Sequence, residues 1–248
     1  MGNSPPATVL KLKKTDRLVV LTGAGISAES GISTFRDKGG LWEQFSIEEV
    51  ATPEAWQRAP QKVLGFYNQR IRQMKSCQPN EAHLALAKLA TYCAVEVITQ
   101  NVDDLHERAG SERVLHLHGQ LNKARSSVDP SLEYELRGEI PWGATCAHGK
   151  QLRPKVVWFG EPVPAMEEAQ KRVDEADYLL VIGTSLQVYP AAGLVRWAPH
   201  ALPKLIIDPS PELGHKGISN ITHWPVGASD GMRYFITQQE AAERGSSA

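Results

Sequence analysis

The chain has few of the features that mark secreted, membrane-spanning or nucleic-acid-binding proteins. It has only three cysteines, Cys77, Cys93 and Cys146, in 248 residues. They are too few and too scattered for a disulfide framework, and no apolar leader opens the chain, so the sequence points to a reducing, cytoplasmic setting. No apolar run approaches the length needed to span a bilayer. Pro6 stands where a myristoylation signal wants Ser or Thr, which argues against lipidation. Lys and Arg total 27 against 28 Asp and Glu, for a net charge of -1. The signs are mixed along the chain, without the basic field that nucleic acid or an anionic membrane selects. Neither is expected as a direct partner.

What is present is a core. Hydrophobic residues make up 42% of the chain, enough for one large domain or a large one carrying a small one. The run Arg17-Leu18-Val19-Val20-Leu21-Thr22 is apolar on both faces, as a buried parallel strand must be. Similar signals recur at 95–99, 178–183 and 204–207, with helical patterns at 80–91 and 165–175 between them. This alternation predicts an α/β fold, a Rossmann-like doubly wound parallel sheet. Two stretches break the rhythm, 32–75 and 119–156, and are expected to pack together as a second, smaller domain formed by two insertions. The large domain then comprises 15–31, 76–118 and 157–240, with flexible ends at 1–14 and 241–248. Clefts between domains commonly hold ligands.

The first buried strand runs into Gly23-x-Gly25-x-x-Ala28. Glycines there permit a tight turn and close approach of a pyrophosphate, whose charge a following helix N-terminus favours. By itself this is weak evidence, since many such glycines only make turns. The acidic partner expected about 20 residues on is ambiguous, because Glu43 lies in the first insertion. An ordinary dehydrogenase therefore fits poorly.

Longer motifs carry more. Gly23-Ala24-Gly25-Ile26-Ser27-Ala28-Glu29-Ser30-Gly31-Ile32-Ser33-Thr34-Phe35-Arg36 leads to Gly40-Leu41-Trp42. Thr99-Gln100-Asn101-Val102-Asp103-Asp104-Leu105-His106 follows, then Leu115-His116-Leu117-His118-Gly119. Val156-Val157-Trp158-Phe159-Gly160-Glu161 and Gly183-Thr184-Ser185 complete the set. Five motifs in this order, spanning roughly residues 15–235, resemble the sirtuin family, and its bacterial class III-like branch most closely.

The resemblance implies an NAD-dependent protein lysine deacylase that consumes NAD as a co-substrate. The acyl-lysine carbonyl oxygen attacks the ribose carbon bearing nicotinamide, which leaves. A base then moves the acyl group onto the ribose, giving free lysine, nicotinamide and O-acyl-ADP-ribose. His118 is implied as that base, with His116 structural. An imidazole near its ordinary pKa can take a proton at neutral pH. Gln100, Asn101 and Asp103 follow a strand and so fall at the sheet's carboxyl edge, where open α/β folds bind ligands. The family uses the Asn to orient a catalytic water and the Asp to hold nicotinamide. Turn residues capping the next helix are the plainer reading. Gly23, Ala24, Gly25, Ser27, Gly183, Thr184 and Ser185 are implied to contact the cofactor, along with Trp42. Phe35 and Arg36 belong to the family's mobile cofactor loop, where the Phe shields the reacting ribose carbon; a core Phe is the alternative. Asp208 replaces the usual Asn at the adenosine ribose, and Ala228 is assigned to a loop closing over the adenine. Phe159, Gly160 and Glu161 would offer backbone to an incoming peptide.

Tyr67 and Arg70 lie three residues apart in a helical pattern and so share a face. One sirtuin class uses such a pair for the carboxylate of succinyl- or malonyl-lysine, with a small residue, here Ala51, widening the pocket. A guanidinium fork suits a planar carboxylate. A solvated Arg beside a core Tyr is the alternative, and acetyl-lysine stays open as a substrate. The chain departs from the family at zinc. Most sirtuins use four cysteines, whereas Lys123-Ala124-Arg125-Ser126-Ser127 has none and only Cys146 remains of the second pair, with His148 nearby. A tetrahedral site wants about four soft ligands, so no metal is expected. This degenerate ribbon must rely on packing, around Trp142, Leu152 and Trp158. A protein ADP-ribosyltransferase and a non-catalytic NAD-binding module are the rival readings.

Overall fold

The computed structural model describes residues 11–34, 41–211 and 213–246; the side chains of 41, 42, 245 and 246 are not among those described. Among the described residues nine strands run in chain order: β1 (Arg17–Thr22), β2 (Ala94–Thr99), β3 (Val114–His116), β4 (Gly119–Ser126), β5 (Glu133–Glu135), β6 (Leu152–Val156), β7 (Tyr178–Ile182), β8 (Lys204–Ile207) and β9 (Ile221–Trp224). Helices α1 (Ala24–Ala28), α2 (Leu41–Gln44), α3 (Ile47–Val50), α4 (Pro53–Arg58), α5 (Pro60–Ser76) and α6 (Glu81–Leu89) precede β2. Later come α7 (Leu105–Arg108), α8 (Met166–Asp174), α9 (Gly193–Arg196) and α10 (Ala228–Ser246), the last continuing six residues past position 240.

Six strands form one sheet in the order β3-β2-β1-β7-β8-β9, parallel throughout. The alternation within β1 explains why both faces are covered. Leu18 and Val20 join a core with Leu86 and Leu89 of α6 and Met232 and Phe235 of α10. Val19 and Leu21 point the other way, into a core with Val173 of α8 and Leu194 and Val195 of α9. Burying each such side chain stabilises the sheet by roughly 1.5–3 kcal/mol, which is what holds helices on both faces. The expected doubly wound architecture is therefore present, with two strands added at its edges.

Strand order reverses between β1 and β7, whose following loops depart on opposite sides. In sheets of this kind that crevice is the ligand site. Three more strands make a separate antiparallel sheet in the order β5-β4-β6. Against it lie residues of α5 and its neighbours: Val63, Phe66, Tyr67 and Ile71 share a core with Leu121, Val156 and Trp158. A smaller cluster joins Leu64, Ala124, Ile140, Cys146 and Leu152. Trp142, expected in this core, is instead 55% exposed. The inward place goes to Ile140, whose backbone N–H and C=O are both bound by the Asn68 side chain at 2.9 Å. The chain then turns outward through Gly143, at φ +89.

Candidate functional site

Residues just beyond β1, β2, β7 and β8 line one cavity of about 310 Å³, closed on its far side by α5 and the 156–161 segment. Gly23, Ala24, Gly25, Gln100, Asn101, Gly183, Thr184, Ser185 and Asp208 all face it, as do His118, Tyr67, Arg70, Phe159, Gly160 and Glu161. Positions far apart in sequence thus converge, because parallel strands bring their carboxyl ends to one edge.

Glycine is required here first by backbone meeting backbone. A Cβ on Gly25 would sit 2.7 Å from the Gly183 Cα, and one on Gly183, itself at φ +62, would lie 2.3 Å from Ile26 N. The Gly25 N–H donates to Gly183 O at 2.9 Å, which locks the two switch-point loops together. At Gly119, φ +85, a Cβ would lie 2.1 Å from Lys155 O. The residue after His118 must therefore be glycine for β4 to pair with β6.

His118 is half-buried. Its Nδ1–H donates to Gln100 O at 3.0 Å, which leaves Nε2 as the ring's lone-pair nitrogen. Burial lowers its pKa below the ordinary value of 6.5, partly opposed by the Gln100 carbonyl. His116, two residues earlier, has both nitrogens engaged: Nδ1 donates to Asn101 O at 3.0 Å and Nε2 faces Glu107 Oε1 at 2.7 Å. Of these two, His118 is the one with a ring nitrogen left to accept a proton.

Asn101 is buried, and its Nδ2 donates to Gly23 O and to Ser27 Oγ, each at 3.1 Å. Its amide donors are thereby engaged and Oδ1 is presented as an acceptor. Ser27 Oγ donates in turn to Asp103 Oδ2 at 3.1 Å. Burial pushes the Asp103 carboxyl up to about 6, against the pull of the Leu105 N–H and Ser27. Ser27 and Asp103 lie off the main cavity and wall a small adjoining pocket with Ile32, Ser33 and Gln73. Gln100 Nε2 donates to Thr184 Oγ1 at 3.0 Å, and Asp208 Oδ1 accepts from Ser210 N at 2.9 Å.

At the other end, Tyr67 and Arg70 lie on α5 as their spacing predicts. Tyr67 is 8% exposed, and burial pushes its phenol up. It packs against Trp158 with ring centroids 6.4 Å apart. Arg70 Nη2 donates to Gln73 Oε1, while its buried Nη1 has no hydrogen-bond partner among the described residues. Burial also lowers its pKa. Ala51 lines the same end, and its carbonyl accepts the Phe159 N–H at 3.0 Å.

Glu161 differs from the backbone-only part expected of it. Its carboxylate takes a two-pronged bond from Arg153, at 2.8 and 2.9 Å, and another from Arg125 at 2.9 Å. It also accepts the Trp158 N–H at 2.8 Å. Arg153 stacks 3.2 Å above the Trp158 ring. This clamp holds the cavity wall, and charge-assisted bidentate bonds are the strong ones. The N–H groups of Phe159 and Glu161 are already bound, to Ala51 O and Trp158 O.

Some expected positions fall elsewhere. Phe35 and Arg36 lie outside the described residues, as does the Trp42 side chain. Ala228 does not line the cavity; it is the first residue of α10 and is buried in the sheet's core. Thr34, Trp158, Tyr189 and Ser210 line the cavity without having been singled out for it. Of these, Thr34 and Trp158 had a signal, their places inside quoted motifs.

Comparison with known proteins agrees with this geometry. A model of the Sir2 family matches residues 23–190. The chain belongs to the Sir2 family. It is 55% identical over 198 residues to an NAD-dependent protein deacylase of Helicobacter pylori, covering 80% of this chain and 86% of that protein. The crystal structure of a Sir2 homologue–NAD complex superposes with a TM-score of 0.82 at 40% identity, covering 91% of this chain and 90% of that one. A Sir2 structure with a deacetylated p53 peptide and 3'-O-acetyl ADP ribose gives 0.78 at 29% identity, covering 89% and 93%. Among the described residues, no helix of this sirtuin is long and apolar enough to cross a membrane.

The zinc that most of the family carries finds a poor donor set. Cys146 is buried with its Sγ 3.1 Å from Ser126 Oγ, and Asp129 Oδ2 lies 3.3 Å from His148 Nε2. One thiol beside a neutral hydroxyl does not fit a structural zinc site.

Proposed function

We propose that this sirtuin is an NAD-dependent protein lysine deacylase with His118 as its base, Asn101 as its water-orienting amide, and Tyr67 and Arg70 as ligands for acidic acyl chains. The carrying observation is His118. Its Nδ1 is held by Gln100 O, and the ring lines the same cavity as the switch-point glycines. When bound, NAD supplies an electrophilic ribose carbon and nicotinamide as the leaving group. The Gly23–Gly25 and Gly183–Ser185 loops hold its phosphates and a ribose, and Asp208 accepts from the adenosine ribose hydroxyls. Ser27, Asn101 and Asp103 hold the nicotinamide end. His118 Nε2 removes a ribose hydroxyl proton, and burial keeps the ring neutral and ready for it.

The buried, unpartnered Arg70 Nη1 supports succinyl- and malonyl-lysine as substrates beside acetyl-lysine. A desolvated guanidinium with no carboxylate paired to it among the described residues gains from an anionic ligand. Peptide would add along 159–161 through carbonyls and Gly160. We take 32–75 with 119–156 as a small domain, supported by their shared cores, and infer that it folds without zinc, supported by the Ser126–Cys146 contact. Three free cysteines accord with a cytoplasmic enzyme.

The test is NAD-dependent release of free lysine from acetyl-, succinyl- and malonyl-peptides, read by mass spectrometry with O-acyl-ADP-ribose as co-product. ADP-ribosylated protein in place of O-acyl-ADP-ribose would overturn the assignment.

A further inference from the structure

Gln73 lies one turn beyond Arg70 on α5 and touches both ends of the site. Its Oε1 accepts from Arg70 Nη2. Its Nε2 donates to Gly31 O at 2.9 Å and to Ser33 Oγ at 3.2 Å. The turn it grips leads to Thr34, which lines the main cavity. Ile32 and Ser33 wall the small pocket beside Asn101 and Asp103, and Gln73 itself lines that pocket. One amide therefore joins the acyl-chain guanidinium to the wall of the nicotinamide pocket.

We propose that Gln73 is a positioning residue that couples acyl-carboxylate recognition to NAD binding. This rests on the reading of Arg70 as the acyl-carboxylate ligand. With Nη2 fixed by Gln73, the unpartnered Nη1 is the guanidinium donor left for a ligand at the cavity wall that Arg70 lines. A carboxylate that captures Nη1 restrains Arg70, and through Gln73 it restrains the 31–34 turn. NAD then binds to a wall that is already ordered. A neutral acetyl group has no charge to hold Arg70 and leaves the turn to be ordered by NAD alone. Linkage makes the effect reciprocal.

The test measures affinity for a non-reactive NAD analogue with saturating succinyl-peptide or acetyl-peptide bound. In the native protein the succinyl-peptide should tighten the analogue by at least about fivefold relative to the acetyl-peptide, the low end of usual coupling between sites. Gln73→Leu, which keeps helix propensity and removes all three bonds, should abolish that difference. Gln73→Glu serves if the leucine variant misfolds. It keeps an acceptor for Arg70 but cannot donate to Gly31 O, so it should also abolish the difference; rescue by Glu would overturn the proposal. A difference that persists in Gln73→Leu, or is missing from the native protein, overturns it too. Arg70→Met separates the two levels. If that variant binds succinyl-peptide as well as native protein does, the carboxylate reading fails and this inference with it. If binding weakens in that variant but the native protein shows no coupling, only the role of Gln73 falls.

Discussion

Replacing Arg70 with methionine isolates the acyl-carboxylate reading, because Met fills the stem's volume without charge. Arg70 lines the cavity with Nη1 buried and unpartnered, so a succinyl carboxylate there would complete a charge-assisted pair. Breaking such a pair costs roughly 2–5 kcal/mol. Arg70 is only partly buried, and solvent screening places the effect near the lower bound, about 2 kcal/mol, or roughly thirtyfold in kcat/KM. Acetyl-lysine has no charge to lose, so its turnover should change only a few-fold through packing. The assay compares peptides that differ solely in the acyl group, at saturating NAD. Parallel losses on both peptides would refute the reasoning and make Arg70 a structural residue, while the deacetylase reading would stand.

Three further outcomes are expected. His118→Ala should abolish deacylation while NAD and peptide still bind by calorimetry, whereas His116→Ala, losing bonds to Asn101 O and Glu107, should mainly lower the melting temperature; near-normal turnover in the His118 variant would contradict the base assignment. Because burial raises the Asp103 pKa from 3.8 to about 6, the native state binds this proton more tightly than the unfolded chain. Stability should therefore fall as pH rises from about 4 to about 6 and change no further above that. Asp103→Asn should remove this part of the slope in denaturant titrations. Metal analysis should find well under one zinc per chain, and chelators should leave activity unchanged; stoichiometric zinc would disprove the metal-free reading.

Elements buried on both faces were legible in the sequence, and edge elements were not. β1 and β8 begin and end where their apolar runs do. β3 is three half-buried residues, and β9 mixes Thr222 and His223 with Ile221 and Trp224, so neither offers a run. The cavity's sheet edge was legible for a related reason: the motifs at Gly23, Gln100, His118 and Gly183 run off parallel strands, and a parallel sheet delivers such positions to one rim. Contacts made by long side chains across the fold had no local signature. The Arg125–Arg153–Glu161 clamp spans 36 positions in sequence, and Gln73 reaches back 42 to Gly31. Trp142 misled because bulk alone does not decide burial; the grip of Asn68 on Ile140 decides which residue turns inward.

The two ends of the cavity are built differently, and this bears on how the enzyme can vary. The end that holds His118 and Asn101 is fixed by backbone. Gly25 and Gly183 interlock with no space for a Cβ, and His118 and Asn101 are oriented through main-chain oxygens. Substitutions there disturb the sheet edge itself. The acyl end is fixed by side chains on α5 and the 156–161 wall: Tyr67 against Trp158, Trp158 under Arg153, and Arg153 on Glu161. On the proposed reading, changing Tyr67 or Arg70 should alter what the pocket accepts without moving His118. Effects at the two ends should therefore add, as they do for sites without shared partners. The exceptions are pairs that include Gln73 or Arg70, since the Gln73 amide contacts both sides and the proposed coupling runs through Arg70.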